Sequence, residues 1–231
     1  MRSAPIVMVL LLASFTLAGE PGVTPSQTPA RGWWADAAPD GSKRIAAPLS
    51  PGAFSRWINT GKENRAIGPG AVTMYRWWTN TCPYCESSLP AVETLRKDFA
   101  KRGLAVVAVY HPKPPREVSD ATIQKSAEAI GYAGPIAVDL DWSVLKKFWL
   151  STGRRSATSV TFLVDAKGVI RYIHPGPDFF PSDKPEDAQQ NADYATLREA
   201  VVKLLDEADA GQAPPATQAS DRKGPSDRPP V

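Results

Sequence analysis

The stretch Ala71-Val-Thr-Met-Tyr-Arg76-Trp77-Trp78-Thr79-Asn-Thr-Cys82-Pro83-Tyr84-Cys85-Glu-Ser-Ser-Leu-Pro90 holds both cysteines of the chain and decides its fold. Residues 71–78 are β-branched and aromatic for the most part and read as a strand. From Pro83 onward, Leu89, Val92, Leu95 and Phe99 recur at spacings of three and four, which predicts a helix over 83–102. Proline suits the first turn of that helix, because the N–H it lacks would have no partner there. Cys82 therefore stands at the helix start, against free N–H groups and the positive end of the dipole. That setting favours a thiolate and lowers the thiol pKa. Cys85, one turn deeper, is the less exposed of the two. The chemistry that follows is thiol–disulfide exchange, with Cys82 attacking a disulfide and Cys85 resolving the mixed disulfide. Two other readings of the pair stay open. One is a static bridge, although closing so short a loop removes little chain entropy. The other is half of a metal site completed by His111 and His174, which the ligand number permits and the strand–helix context does not demand.

Outward from this stretch the pattern alternates. Residues 104–110 (LAVVAVY) are an apolar run, the mark of a strand buried on both faces. Ser119-Asp120 can cap a helix carrying Ile123, Ala127 and Ile130, which Gly131 ends. Residues 136–138 are extended, and Val144, Leu145 and Phe148 mark a short helix. Residues 160–164 and 169–173, joined by Asp165-Ala166-Lys167-Gly168, form a hairpin. Asp193 is the expected cap of a last helix with Tyr194, Leu197, Val201 and Leu204 on one face. Strand, helix and strand, then further helix, a hairpin and a closing helix, give an α/β arrangement with the first two strands parallel.

Composition narrows the function. With 27 basic and 24 acidic residues the net charge is +3, too balanced for a nucleic-acid binder or a polybasic membrane-surface protein. Residues 1–19 read as a secretory signal peptide: Met1-Arg2, an apolar run from Ile6 to Leu17, then small residues at the expected cleavage point. The run is too short to span a bilayer comfortably. An uncleaved amino-terminal anchor is the alternative. The mature chain is expected to be exported, without stable membrane insertion, in a compartment where disulfides persist. Residues 20–50 read as a linker or poorly ordered arm in which Trp33-Trp34 could pack locally, 51–206 as the folded domain, and 207–231 as a disordered Pro-rich tail, poor in large apolar side chains.

The Trp77–Pro90 stretch resembles the active-site region of exported thioredoxin-like proteins of the TlpA/ResA type, where an aromatic strand end leads into CxxC and a helix proline follows. Thr161-Phe-Leu-Val-Asp165-Ala-Lys-Gly168-Val-Ile-Arg171 is similar to the hairpin signature of the same family. The resemblance covers about residues 55–205. It implies a thioredoxin fold with a central mixed sheet and helices on both faces. It also implies dithiol–disulfide exchange on disulfide-containing exported proteins, no cofactor beyond the Cys82–Cys85 disulfide, no resident metal, and a membrane thiol transporter as electron source.

Three departures from the family pattern matter. Ser159, preceded by Thr158, stands where the family places a cis-proline facing the CxxC, which puts substrate grip and metal exclusion in question. Arg76 stands where thioredoxins carry a buried acid; a cation there favours thiolate if it points at the site, and is inert if it points outward. Thr79 with Cys82 half-matches the Thr-x-x-Cys of peroxiredoxins, but Tyr75 occupies the place of the proline that motif needs. Two alternatives follow: a thiol-dependent peroxidase, and a soft-metal (copper) binder using the CxxC and a histidine. Sites in such sheets form at the carboxyl ends of parallel strands. That edge gathers Arg76, Trp78, Thr79, Cys82, Pro83, Tyr84, Cys85, His111, Thr158, Ser159 and His174. Lys113, Arg116, Arg154 and Arg155 form a basic rim, and Phe179 and Phe180 lie in a loop expected to fold back on the core. Both histidines precede proline, which in the plainest reading makes them water-exposed turn residues.

Overall fold

An apolar run without one charged side chain can only be an inner strand, and residues Ala105–Tyr110 (β4) are buried at all six positions. The computed structural model describes residues 28–35, 49–61, 67–152, 155 and 157–212. Besides β4, its strands are β1 (Trp33–Trp34), β2 (Trp57–Ile58), β3 (Thr73–Trp78), β5 (Ile136–Val138), β6 (Thr161–Val164) and β7 (Ile170–His174). They form one mixed sheet in the order β1-β7-β6-β3-β4-β5-β2. β3, β4 and β5 are parallel neighbours, and β6 runs antiparallel to β3, as the sequence predicts.

Helices cover both faces. One face packs under α1 (Pro83–Phe99), α2 (Asp120–Ala129) and α4 (Ala188–Gln212), through Leu89, Val92, Leu95, Ile123, Leu197, Val201 and Leu204. The other packs against α3 (Ser143–Phe148) and the segment around Phe54, through Tyr75, Trp77, Phe162, Leu145, Phe148 and Trp149. Each Leu or Phe buried in these layers contributes about 1.5–3 kcal/mol. Local signals account for the element ends. Ser119 Oγ accepts from Thr122 N at the start of α2, and the Asp139 carboxylate accepts from Val144 N and Leu145 N at the start of α3.

Three expectations are corrected. Asp193 does not cap the last helix: α4 begins at Ala188, after a single 3-10 turn at Pro185–Asp187, and Asp193 lies buried within it. The tail does not start at 207. α4 continues to Gln212, with Glu207 paired to Arg171, and Asp206 and Asp209 to Arg102. Part of the expected linker is structure, because Trp33–Trp34 pairs with Ile173 and Tyr172 of β7 and Leu49 is buried. The signal peptide of 1–19, the rest of that arm (20–27 and 36–48), Arg154 and residues 213–231 lie outside the described residues. No helix among the described residues is long and apolar enough to cross a membrane.

Candidate active site

Cys82 is the N-cap residue of α1, Pro83 opens the helix, and Cys85 sits one turn in. Both are free thiols; Cys82 is half-buried and Cys85 has no exposed surface. Burial and position make the two sulfurs unequal. Cys82 is pushed down to about 5, first by the hydrogen bond from the Cys85 thiol, helped by the amides of Cys85 and Tyr84 and by the Ser159 hydroxyl. The neighbouring thiol is the largest of these effects, ahead of the amides at the helix start. Cys85 is pushed up, because it spends its proton on Cys82 and is desolvated. One sulfur thus favours the thiolate and the other the thiol.

Ser159 lies between them, with Oγ 3.5 Å from Cys85 Sγ and 3.9 Å from Cys82 Sγ. A single hydroxyl thus touches both sulfurs. Tyr84, beside Cys82, is the one large apolar side chain exposed among the described residues, at 51%. Trp78 is buried edge-on to Tyr110, and Thr79 is buried next to it. Thr158 is buried next to Ser159, and among the described residues its hydroxyl has no hydrogen-bond partner.

Arg76 points inward. It shares the face of Met74 and Trp78, on the α1 side, and is completely buried. Its Nη1 donates to Ser159 O at 2.5 Å and Thr161 Oγ1 at 3.3 Å. Its Nη2 donates to Ser88 Oγ at 2.8 Å and Pro177 O at 2.6 Å. Phe179 covers the guanidinium at 5.1 Å. Burial lowers its pKa, and the nearby Cys85, Cys82 and Asp178 oppose that shift.

The histidines part company. His174 pairs through the sheet with Thr161, which pairs with Arg76, so the three form one polar row across β7, β6 and β3. Its Nε2 lies 3.1 Å from Asp193 Oδ2 without good alignment, and its Nδ1 accepts from Gly176 N. Gly176 has φ +90, and a Cβ there would stand 2.7 Å from Ser159 O, so only glycine lets the loop approach that carbonyl. Asp193 is in turn held by Arg31, whose Nη2 also donates to Asp178 O. His111 sits at the same sheet edge, but its ring packs edge-on to Trp142, which belongs to the other core. Among the described residues neither of its nitrogens has a hydrogen-bond partner. Neither histidine is a water-exposed turn residue: both are fully buried, and burial lowers the pKa of each, that of His111 to about 3.

Among the described residues no three of His, Cys, Asp and Glu come together to hold a metal ion. Lys113 and Arg116 are exposed, while Arg155 stacks on Trp149 at 3.9 Å, on the face away from the thiols. Phe179 is buried and Phe180 packs against the core, as expected of their loop. The sequence reading missed Ser88, Thr161, Gly176, Asp178 and Arg31. A signal existed only for Gly176, in the Gly-Pro pair following the hairpin.

The AhpC/TSA family matches residues 63–173. DipZ of Mycobacterium tuberculosis is 26% identical over 159 residues, 67% of this chain and 20% of that protein. The thioredoxin-like protein YneN of Bacillus subtilis is 31% identical over 107 residues, 46% of this chain and 58% of that one. The chain thus spans a fifth of the length of the first relative and somewhat over half of the second. The solution structure of a thioredoxin-like protein in the oxidized form superposes with a TM-score of 0.52 at 20% identity, over 71% of this chain and 99% of that one. That likeness shows the thioredoxin-like α/β fold.

Proposed function

We propose, from the match of residues 63–173 to the AhpC/TSA family, that the chain is a thioredoxin-like thiol–disulfide oxidoreductase, with the Cys82–Cys85 couple as its redox group and no further cofactor. The observation that carries this reading is the division between the sulfurs: Cys82 reachable and held near a pKa of 5, Cys85 buried and held protonated. The Cys82 thiolate attacks one sulfur of a substrate disulfide and expels the other as a thiolate. Cys85 then gives up its proton, which the expelled thiolate takes, and attacks Cys82 Sγ. The second substrate thiolate leaves, and two electrons have passed to the substrate. Run backwards, the same steps oxidise a dithiol. Disulfide-containing exported proteins are the proposed substrates and a membrane thiol transporter the proposed electron source. The basic, apolar start at residues 1–19 and the resemblance to the TlpA/ResA type support an exported, periplasmic location.

The test is turnover of insulin with a dithiol donor. Wild type is expected to reduce it catalytically, Cys82→Ser not at all, and Cys85→Ser only as far as a trapped mixed disulfide seen by mass spectrometry. Equal, slow rates for wild type and Cys82→Ser would reject the reading.

A further inference from the structure

Arg76 is a buried cation without a carboxylate. All four of its hydrogen bonds go to neutral oxygens, its Nε bonds to nothing, and no carboxylate lies within ion-pair distance among the described residues. Neutral acceptors spread such a charge but do not cancel it, and a buried guanidinium left without an anion destabilises the fold. The charged and titratable groups around it are Cys82 and Cys85 from the start of α1, Asp178 from the loop after β7, Arg31 before β1, His111 after β4 and His174 on β7. Both histidines favour the neutral form. Asp178 Oδ2 accepts from Ser87 Oγ, its Oδ1 lies 3.7 Å from Arg31 without a hydrogen bond, and the carboxylate acts on Arg76 from beyond ion-pair distance in both redox states. The anion near Arg76 that changes with redox state is the thiolate of the reduced pair.

We propose that Arg76 is a positioning residue, the buried counter-cation of the reduced dithiol, and that it draws the Cys82–Cys85 couple towards the oxidising end. The inference rests on the exchange reading above. Reduction near neutral pH breaks the Cys82–Cys85 bond with two electrons and one proton, leaving Cys82 as thiolate and Cys85 as thiol. Two glutathione thiols supply the electrons and become its disulfide. In the bridged form Arg76 faces no sulfur anion; in the dithiol form it does, so the cation favours the dithiol. The same side chain fixes the Ser159 carbonyl, and with it the hydroxyl that touches both sulfurs.

Equilibration of the full chain with glutathione, combined with alkylation titration of Cys82, tests this. In Arg76→Met the equilibrium constant for reduction is expected to fall about tenfold, close to 30 mV for a two-electron couple, and the Cys82 pKa to rise. Arg76→Lys, which keeps the charge and loses the fork of hydrogen bonds, is expected to melt lower yet keep most of the wild-type potential. A merely structural role predicts lower melting in both variants and unchanged potentials, and that result overturns the proposal. Should Arg76→Met not fold, Arg76→Gln, which retains an amide donor, carries the same expectation. The wild type supplies a second readout: uptake of one proton per two electrons near neutral pH supports the proposal, and uptake of two overturns it. A wild type that never equilibrates with glutathione overturns the exchange reading itself, whereas a potential unmoved by loss of the charge overturns only the role of Arg76.

Discussion

Two rows of side chains cross the same three strands one residue apart, and they have nothing in common chemically. Arg76, Thr161 and His174 are cross-strand partners on the face under α1. Tyr75, Phe162 and Ile173 are partners on the opposite face. The first row is polar, holds hydrogen bonds to Ser88, Ser159 and Pro177, and lies beneath the thiols. The second is part of an aromatic layer with Phe54, Trp77 and Trp149. A strand alternates faces at every residue, so one short segment supplies both. The contrast teaches where each property resides: the aromatic layer supplies packing energy, and the polar row supplies the hydrogen bonds that reach Ser159 beside the thiols.

Substitutions can break or sharpen that division. The largest effect is expected from Phe162→Ala, which removes a fully buried ring from the aromatic row. It should cost about 3–5 kcal/mol in urea denaturation and leave the redox equilibrium of Cys82–Cys85 unchanged. A shifted equilibrium would mean that the two faces are coupled. Next comes pH. Burial holds His111 neutral, with a folded pKa of about 3 against the ordinary 6.5. The unfolded chain therefore binds the proton first as pH falls, so the stability that goes with the neutral ring is complete above 6.5 and is lost on the way down to 3. His111→Phe should flatten that acid limb in denaturation curves recorded across the range, with the couple unaffected. The smallest effect is expected from Ser159→Ala. Losing one neutral hydroxyl, worth about 1 kcal/mol, should raise the pKa of Cys82 by less than one unit in alkylation titrations. No change at all would remove Ser159 from the polar side of the comparison.

The parts of the fold that were legible in sequence carried local signals. The apolar spacing of α1, the Ser119 cap and the four-residue turn before β7 each placed an element correctly. Cys82 and Cys85 were legible because spacing and helix start coincide. What escaped was long-range. β3 is buried on both faces, so no alternation of polar and apolar residues told which way Arg76 points. Asp193 has the form of a cap and stands just ahead of an apolar stripe, yet its partner is Arg31, 162 residues away in the chain. Trp33–Trp34 is too short for any periodicity to show, and it becomes a strand only because β7 offers an edge. His111 and His174 look alike beside their prolines; only the sheet separates a histidine against Trp142 from one held by Asp193.

The clasp made by Arg31 bears on how the molecule is trimmed for study. A shortened version starting at residue 50 keeps everything that matches the family and discards Arg31 with β1. Asp193 would then be an anion walled in beside a neutral imidazole, and the flank of β7 would lie open to foreign strands. A piece meant to keep this clasp therefore begins ahead of residue 31, well outside the residues that match the family.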